Sequence, residues 1–227
     1  MIGMPGYPAP FQRAFAFVRR LFRISASSEA GSRMMWYPKK AAFRVGYVPS
    51  NQWDDANIGD YSVAMGYSTT ASGQESTAMG SETTASGNYS TAMGSYSVAS
   101  GQHSSTLGYA DSAKNTYSIA IGFSCKSSAN YALAMGDRSI STGSSSYSYG
   151  YRDSATGQYS SAFGAYSKTS ATYAITLGSY TKASGYGSIA QGWNTRASGS
   201  YSSSFGYNSE ASGDYSRSLG YQTIASG

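Results

Sequence analysis

Tyr89-Ser90-Thr91-Ala92-Met93-Gly94-Ser95-Tyr96-Ser97-Val98-Ala99-Ser100-Gly101-Gln102 is one unit of the pattern that decides the fold. Its first glycine recurs every 14 residues, at Gly66, Gly80, Gly94, Gly108, Gly122, Gly136, Gly150, Gly164, Gly178, Gly192, Gly206 and Gly220, without insertion or deletion. A fixed short period marks stacked units, each burying a face against the next. Counted from Tyr61, twelve units reach Gly227 and read Tyr-Ser-x-Ala-apolar-Gly-x-x-Ser/Thr-x-Ala-Ser-Gly-x. The second glycine is present in nine units and replaced by Asn115, Ala129 and Ala171 in the others.

Two alternating segments, each ending at a glycine, read as two short strands joined by tight turns, since glycine supplies the positive φ that such turns use. The expected class is all-β, a solenoid with one two-stranded coil per 14 residues and little helix after residue 60. Twelve coils stacked at about 4.8 Å give a rod of roughly 58 Å. Collagen is excluded because glycine is not every third residue. A coiled coil is excluded because the array has no apolar heptads and carries glycine in every unit.

Composition agrees. Leu, Ile, Val and Phe together number 27 of 227 residues, no more than glycine alone. Only 12% of residues are charged, so the chain lacks the high charge of a disordered one. It can fold only if small residues stack regularly, because it has too few bulky side chains for an ordinary core.

Side-chain size predicts direction, since neighbours along a strand face opposite ways. The second position is Ser or Ala, and the fourth and eleventh are always Ala, Ser or Thr, so only small residues fit there. The tenth accepts Lys126, Lys168, Lys182, Arg196 and Glu210 and is placed outside. The fifth position then faces away from the narrow interior. It holds Met65, Met79, Met93, Leu107, Ile121, Met135, Tyr149, Phe163, Leu177, Gln191, Phe205 and Leu219. A monomer would expose these as one apolar stripe far longer than soluble proteins tolerate. Self-association about an axis parallel to the rod is the economical cover. Met65, Met79, Met93, Leu107, Ile121, Met135, Phe163, Leu177, Phe205 and Leu219 are therefore expected at a subunit interface. In the alternative orientation Met65 and its equivalents point inward and the fourth-position alanines meet between chains, which also demands a partner.

Segments such as Tyr89-Ser90-Thr91-Ala92-Met93-Gly94 and Tyr117-Ser118-Ile119-Ala120-Ile121-Gly122, each followed by an Ala-Ser-Gly or similar turn, resemble the head repeats of YadA-like trimeric autotransporter adhesins. The resemblance covers residues 61–227. It implies a left-handed parallel β-roll, a homotrimer, and attachment to host or matrix surfaces from an extracellular or cell-surface location. Met35 to Gly46, followed by Trp53-Asp54-Asp55 and Ile58-Gly59, resembles the lead-in to such arrays in surface and fibre proteins. Trp36, Phe43 and Trp53 are expected to cover the open first coil, which a solenoid needs to block edge-to-edge growth.

Three regions follow: a basic N-terminal segment over 1–34, a cap over 35–60 and the array over 61–227. Residues 1–60 carry eight basic against four acidic residues, and the array eight against seven. The array thus shows no dense basic stripe for nucleic acid. Phe11 to Phe22 is aromatic-rich but interrupted by Arg13, Arg19 and Arg20. It reads either as an amphipathic basic helix at a membrane surface or, better, as sequence upstream of a misplaced start. Gly227 falls one residue short of completing the twelfth unit, so the natural protein is expected to continue.

No catalytic constellation, cofactor motif or metal spacing is found. His103, the only histidine, occupies a position that is usually Tyr, and Ser104 and Ser105 adjoin it only because Ser is common. Calcium-binding rolls need an Asp in each turn, whereas Asp111 and Asp153 share one position and Asp137 and Asp214 occupy two others. Cys125 stands where Ser or Thr is usual and reads as a small-residue replacement. The tyrosines at the first position offer stacking surfaces to sugars or, on the simpler reading, to one another. The expected function is a non-enzymatic surface fibre or adhesin head. The alternatives are a phage or virus-like tail fibre and, more remotely, an ice-binding solenoid that would use Thr-Thr pairs at 69–70 and 83–84.

Overall fold

The computed structural model describes residues 30–227. The Phe11–Phe22 segment and most of the 1–34 region lie outside the described residues. The described chain opens with an antiparallel pair, β1 (Gly31–Tyr37) and β2 (Ala42–Val48). Each coil then supplies a five-residue strand from its third to seventh position and a two-residue strand at its tenth and eleventh. In the first coil these are β3 (Val63–Tyr67) and β4 (Thr70–Ala71). The long strands continue from β1 and β2 as a 14-stranded sheet, and the short ones form a 12-stranded sheet. Every pairing within the array is parallel and shifted by one repeat, as in Met79↔Met93↔Leu107. The two short 3-10 turns, Pro38–Lys40 and Asp55–Asn57, both precede residue 61.

The roll closes around small side chains. Fourth-position Ala64, Ala78 and Ala92 face eleventh-position Ala71, Ala85 and Ala99 in one buried cluster. In five coils the second-position hydroxyl satisfies a turn carbonyl, as where Ser76 Oγ donates to the Gly73 carbonyl at 2.6 Å and Ser160 Oγ to that of Gly157 at 2.7 Å. The ninth position also points inward. Ser167 Oγ donates to the Gly178 carbonyl and Ser209 Oγ to that of Gly220, both at 2.8 Å. Buried Cys125 takes the same place, its Sγ lying 3.2 Å from the Gly136 carbonyl. Thr69 and Thr83 are likewise buried, so the Thr-Thr pairs form no flat outward lattice of the kind ice binding needs.

The glycines act differently from the turn role that the sequence suggests. The sixth-position glycine lies inside the long strand, not at its end, with φ between +110 and +141 along the array. A Cβ on Gly122 would meet the Gly136 carbonyl oxygen at 2.0 Å, and the same collision recurs from coil to coil. The turns themselves use non-glycine residues in the left-handed region, at the first position (Tyr89 φ 60, Tyr117 φ 56) and the eighth (Arg138 φ 53, Tyr166 φ 56). Such residues cost about 1 kcal/mol or more each. Inter-coil bonds offset this: the Tyr89 N–H donates to the Gln74 carbonyl at 2.7 Å and the Glu82 N–H to that of Tyr67 at 2.8 Å. The thirteenth glycine has no positive φ, yet its backbone also touches the next coil. Asn115 fits there by turning its N–H to Ser118 Oγ at 3.1 Å.

Of the expected trio only Trp53 closes the first coil, together with residues that the sequence did not single out. Trp53 is 1% exposed and donates from Nε1 to the Thr69 carbonyl at 3.0 Å. Phe43 pairs with Val63 and therefore lies on the outer face of β2, with Trp36 opposite it and 47% exposed. On the inward face of β2, beside Ala42 and Val48, stands Arg44, in register with Ala64 and fully buried. Its guanidinium plugs the bore, donating to the Ser62 carbonyl (2.8 Å), Ser62 Oγ (2.7 Å) and the Ala71 carbonyl (2.9 Å). Burial lowers its pKa to about 10, which leaves it charged at neutral pH. Met35, Ala42, Val48 and Ile58 pack around Trp53 to complete the lid.

Gly122→Ala should destabilise the fold by more than about 3 kcal/mol, since strain and backbone collision combine. Gly143→Ala, at a position where Ala129 and Ala171 already occur, should cost less than half as much. Thermal unfolding followed by circular dichroism ranks them, and the reverse order would contradict this account of the glycines.

Candidate functional surface

Strand alternation places the third, fifth and seventh positions on the outer face of the 14-stranded sheet. The fifth-position residues run in unbroken register from Met65 through Met79, Met93, Leu107, Ile121, Met135, Tyr149, Phe163, Leu177, Gln191 and Phe205 to Leu219. Within one chain none of the ten expected interface residues is buried: Leu107 is 53% exposed, while Met79 and Met93 are half-buried by their neighbours. The fourth-position alanines are fully buried, which removes the orientation with methionines inside. Val63, Ile119, Leu133, Ile175 and Ile189 widen the stripe at the third position, and Phe43 and Val45 extend it onto β2. The outer face of the 12-stranded sheet contrasts with it, carrying mainly Thr, Ser, Lys, Arg and Glu, with Val98, Ile140 and Ile224 among them.

Aromatic ladders edge the roll at its turns. His103 lies between Tyr89 and Tyr117 with ring centroids 4.7 Å away on each side and planes within 6°. Tyr117 stacks on Tyr131 at 5.1 Å, and Tyr159 on Tyr173 at 5.2 Å. Where the first position is Gly187, Tyr186 swings in from the preceding position to touch both Tyr173 and Tyr201 edge-on. The stacked rings cover one another's faces, which leaves edges and hydroxyls, not open platforms, at the surface. Ser104 next to His103 points into the interior and Ser105 to the opposite sheet face, so the histidine has no nucleophile beside it. Among the described residues no three His, Cys, Asp or Glu side chains are grouped to hold a metal ion, and no helix is long and apolar enough to cross a membrane.

Two carboxylates are buried at the ninth position. Asp111 accepts from the Gly122 N–H at 2.9 Å and the Cys125 N–H at 2.8 Å, and Asp153 from the Ser167 N–H at 2.8 Å. Burial raises both carboxyl pKa values against the pull of these backbone donors, Asp153 to about 6. The sequence gives no hint of this, because acidic residues ordinarily signal a solvated face.

An apolar sheet face backed by a polar one, on a stack of two-stranded coils, defines a repetitive β-solenoid of the kind that works through its surface. Family comparison matches the YadA head domain repeat (2 copies) at residues 58–83, 71–97, 85–110, 113–139, 155–181, 183–209 and 197–222, together well over half of the sequence. The chain belongs to the YadA head repeat family. No curated protein matches it.

The unfolded Asp153 carboxyl titrates at its ordinary value near 3.8, whereas the folded one holds its proton to about pH 6. This group's contribution to stability therefore falls as pH rises between those values. Asp153→Ser, which copies Ser139 and Ser167, should raise stability at pH 7 by on the order of 2 kcal/mol and change little near pH 4. Urea unfolding at both pH values measures the difference; an equal effect at the two would contradict the assignment.

Proposed function

We propose that the chain is the head of a non-enzymatic homotrimeric adhesin that attaches a bacterial surface to cells, matrix or other surfaces. The observation that carries this reading is the in-register apolar stripe on the 14-stranded sheet. It runs the length of the array, interrupted at the fifth position only by Gln191, while the other sheet is mainly polar. Three rolls packed about an axis parallel to their length would bury their stripes together and present the polar sheets and turn ladders outward. Membership of the YadA head repeat family supports the same arrangement and an extracellular or cell-surface location. In this reading residues 35–60 close one end of each roll and residues 61–227 form the attachment rod. A role without turnover is supported by His103, which is stacked between the Tyr89 and Tyr117 rings.

Met79→Lys combined with Met93→Lys is the direct test. Both side chains lie outside the roll, so each monomer should keep its parallel β-structure. The trimer should dissociate, because each substitution places an unpaired charge in a dry interface at a cost of several kcal/mol. Sedimentation velocity should show the native chain as a trimer and the double variant as a folded monomer. A native chain that sediments as a monomer would refute the reading.

A further inference from the structure

The array is near neutral overall, but its charges are not evenly spread. Between residues 138 and 209 stand five cations, Arg138, Arg152, Lys168, Lys182 and Arg196, and one acidic residue, Asp153, whose carboxyl is buried in the roll; Arg138 pairs with Asp137 at 3.3 Å just before this stretch, and Glu210 follows it. Three of the five, Lys168, Lys182 and Arg196, are direct register partners on successive strands of the 12-stranded sheet, and all three are exposed. Like charges directly opposite on neighbouring strands destabilise a sheet. None of the three makes an ion pair among the described residues. The fold does not require them either, since the same position holds Thr70, Val98, Ser112 and Ser154 in other coils.

The cations stand beside a groove of about 380 Å³ whose lining includes Tyr166, Lys168, Tyr180, Lys182 and Arg196 and, at one end, Glu210. Tyr166 and Tyr180 stack at 4.9 Å with planes 7° apart and form one wall. The Arg152 guanidinium lies over the Tyr166 ring at 5.8 Å and extends the positive field along the stack. Below Tyr180 the wall continues as an amide pair, Asn194 Nδ2 donating to Asn208 Oδ1 at 2.7 Å. Glu210, in register with Arg196, ends the basic run.

We propose that this groove binds a linear polysaccharide bearing sulfate or carboxylate groups. Its cations repeat along one line at the strand spacing of about 4.8 Å, which suits a chain with roughly one charge per sugar. The ring edges, tyrosine hydroxyls and exposed amides beside the charges suit sugar hydroxyls, which a purely ionic site would not need. The cation line is short and the rest of the array is close to neutral, which disfavours the long phosphate rows of a nucleic-acid duplex. This gives a ligand class to the attachment reading above and rests on it for its biological sense. The binding itself needs only the folded array.

Immobilised heparin is the probe. Lys168→Ser, Lys182→Ser and Arg196→Ser together install the residue that Ser112 and Ser154 already carry at this position, so the roll should remain folded by circular dichroism. The triple variant should lose at least about tenfold in heparin affinity, and its dependence of log K on log salt should become shallower by about two to three. Lys126→Ser, three coils away from Lys168, should change affinity by less than about twofold. Desulfated heparin, which keeps its carboxylates but has fewer charges, should compete more weakly than heparin. The proposal is overturned if the native chain fails to bind heparin at low salt, if the triple variant binds like the native chain, or if duplex DNA competes as well as heparin. Heparin binding lost while the native protein still coats cells would sink this site alone. Failure of the native protein to attach to any surface would count against the adhesin reading instead.

Discussion

Successive coils touch backbone to backbone through the sixth-position glycine, and that contact sets the rest of the molecule. With a Cβ at Gly94 the Gly108 carbonyl would have to move from 1.9 Å away. The long strands can therefore stack in register only if this position has no side chain. Once they do, each coil is held at the strand spacing from its neighbours, the interior becomes too narrow for anything larger than Thr or Asp, and every larger side chain is forced outward. The left-handed turns at the first and eighth positions are tolerated because the same stacking gives their N–H groups carbonyl partners in the previous coil.

A roll whose inside is nearly invariant keeps its individuality on its outer faces. On the 14-stranded sheet that face is a continuous stripe of Met, Leu, Ile and Phe. On the 12-stranded sheet it is mainly polar and varies from Thr to Val to Lys to Glu along the rod. The first face suits contact between identical copies, because identical residues recur at one height in each. The second suits a partner that differs from the protein, because its chemistry changes from coil to coil. The aromatic ladders lie between them and stiffen the turns through stacking, with Tyr186 filling the gap left by Gly187.

Much of this was legible in the sequence because the repeat is strict. Period, strand class and the outward direction of Met65 and its equivalents follow from where small residues are compulsory and where Lys is allowed. Other features were hidden by residue types that act against their usual meaning. Asp111 and Asp153 have the charge of surface residues but occupy an inward position that otherwise holds Ser, Thr or Cys, and where Ser167 donates a hydrogen bond. Arg44 closes the bore, where an aromatic cap over Trp36 and Phe43 is the natural expectation, because the open end of a roll exposes carbonyl groups that a guanidinium can bond and a ring cannot. Tyrosine is a poor marker for a left-handed turn, so the glycines drew the turn assignment that belongs to the first and eighth positions. The Lys168–Arg196 ladder vanished into an overall charge balance that adds distant coils together.

The central claim is that the outer face of the 14-stranded sheet is covered in the native protein, and oxidative footprinting of its methionines tests it most directly. Met65, Met79, Met93 and Met135 all lie on that face and are only half-buried within one chain. Brief peroxide treatment followed by mass spectrometry should find these four oxidised far more slowly than free methionine in the native protein, and rapidly in the Met79→Lys background for the three that remain. Four methionines that react at the rate of free methionine in the native protein would contradict the account.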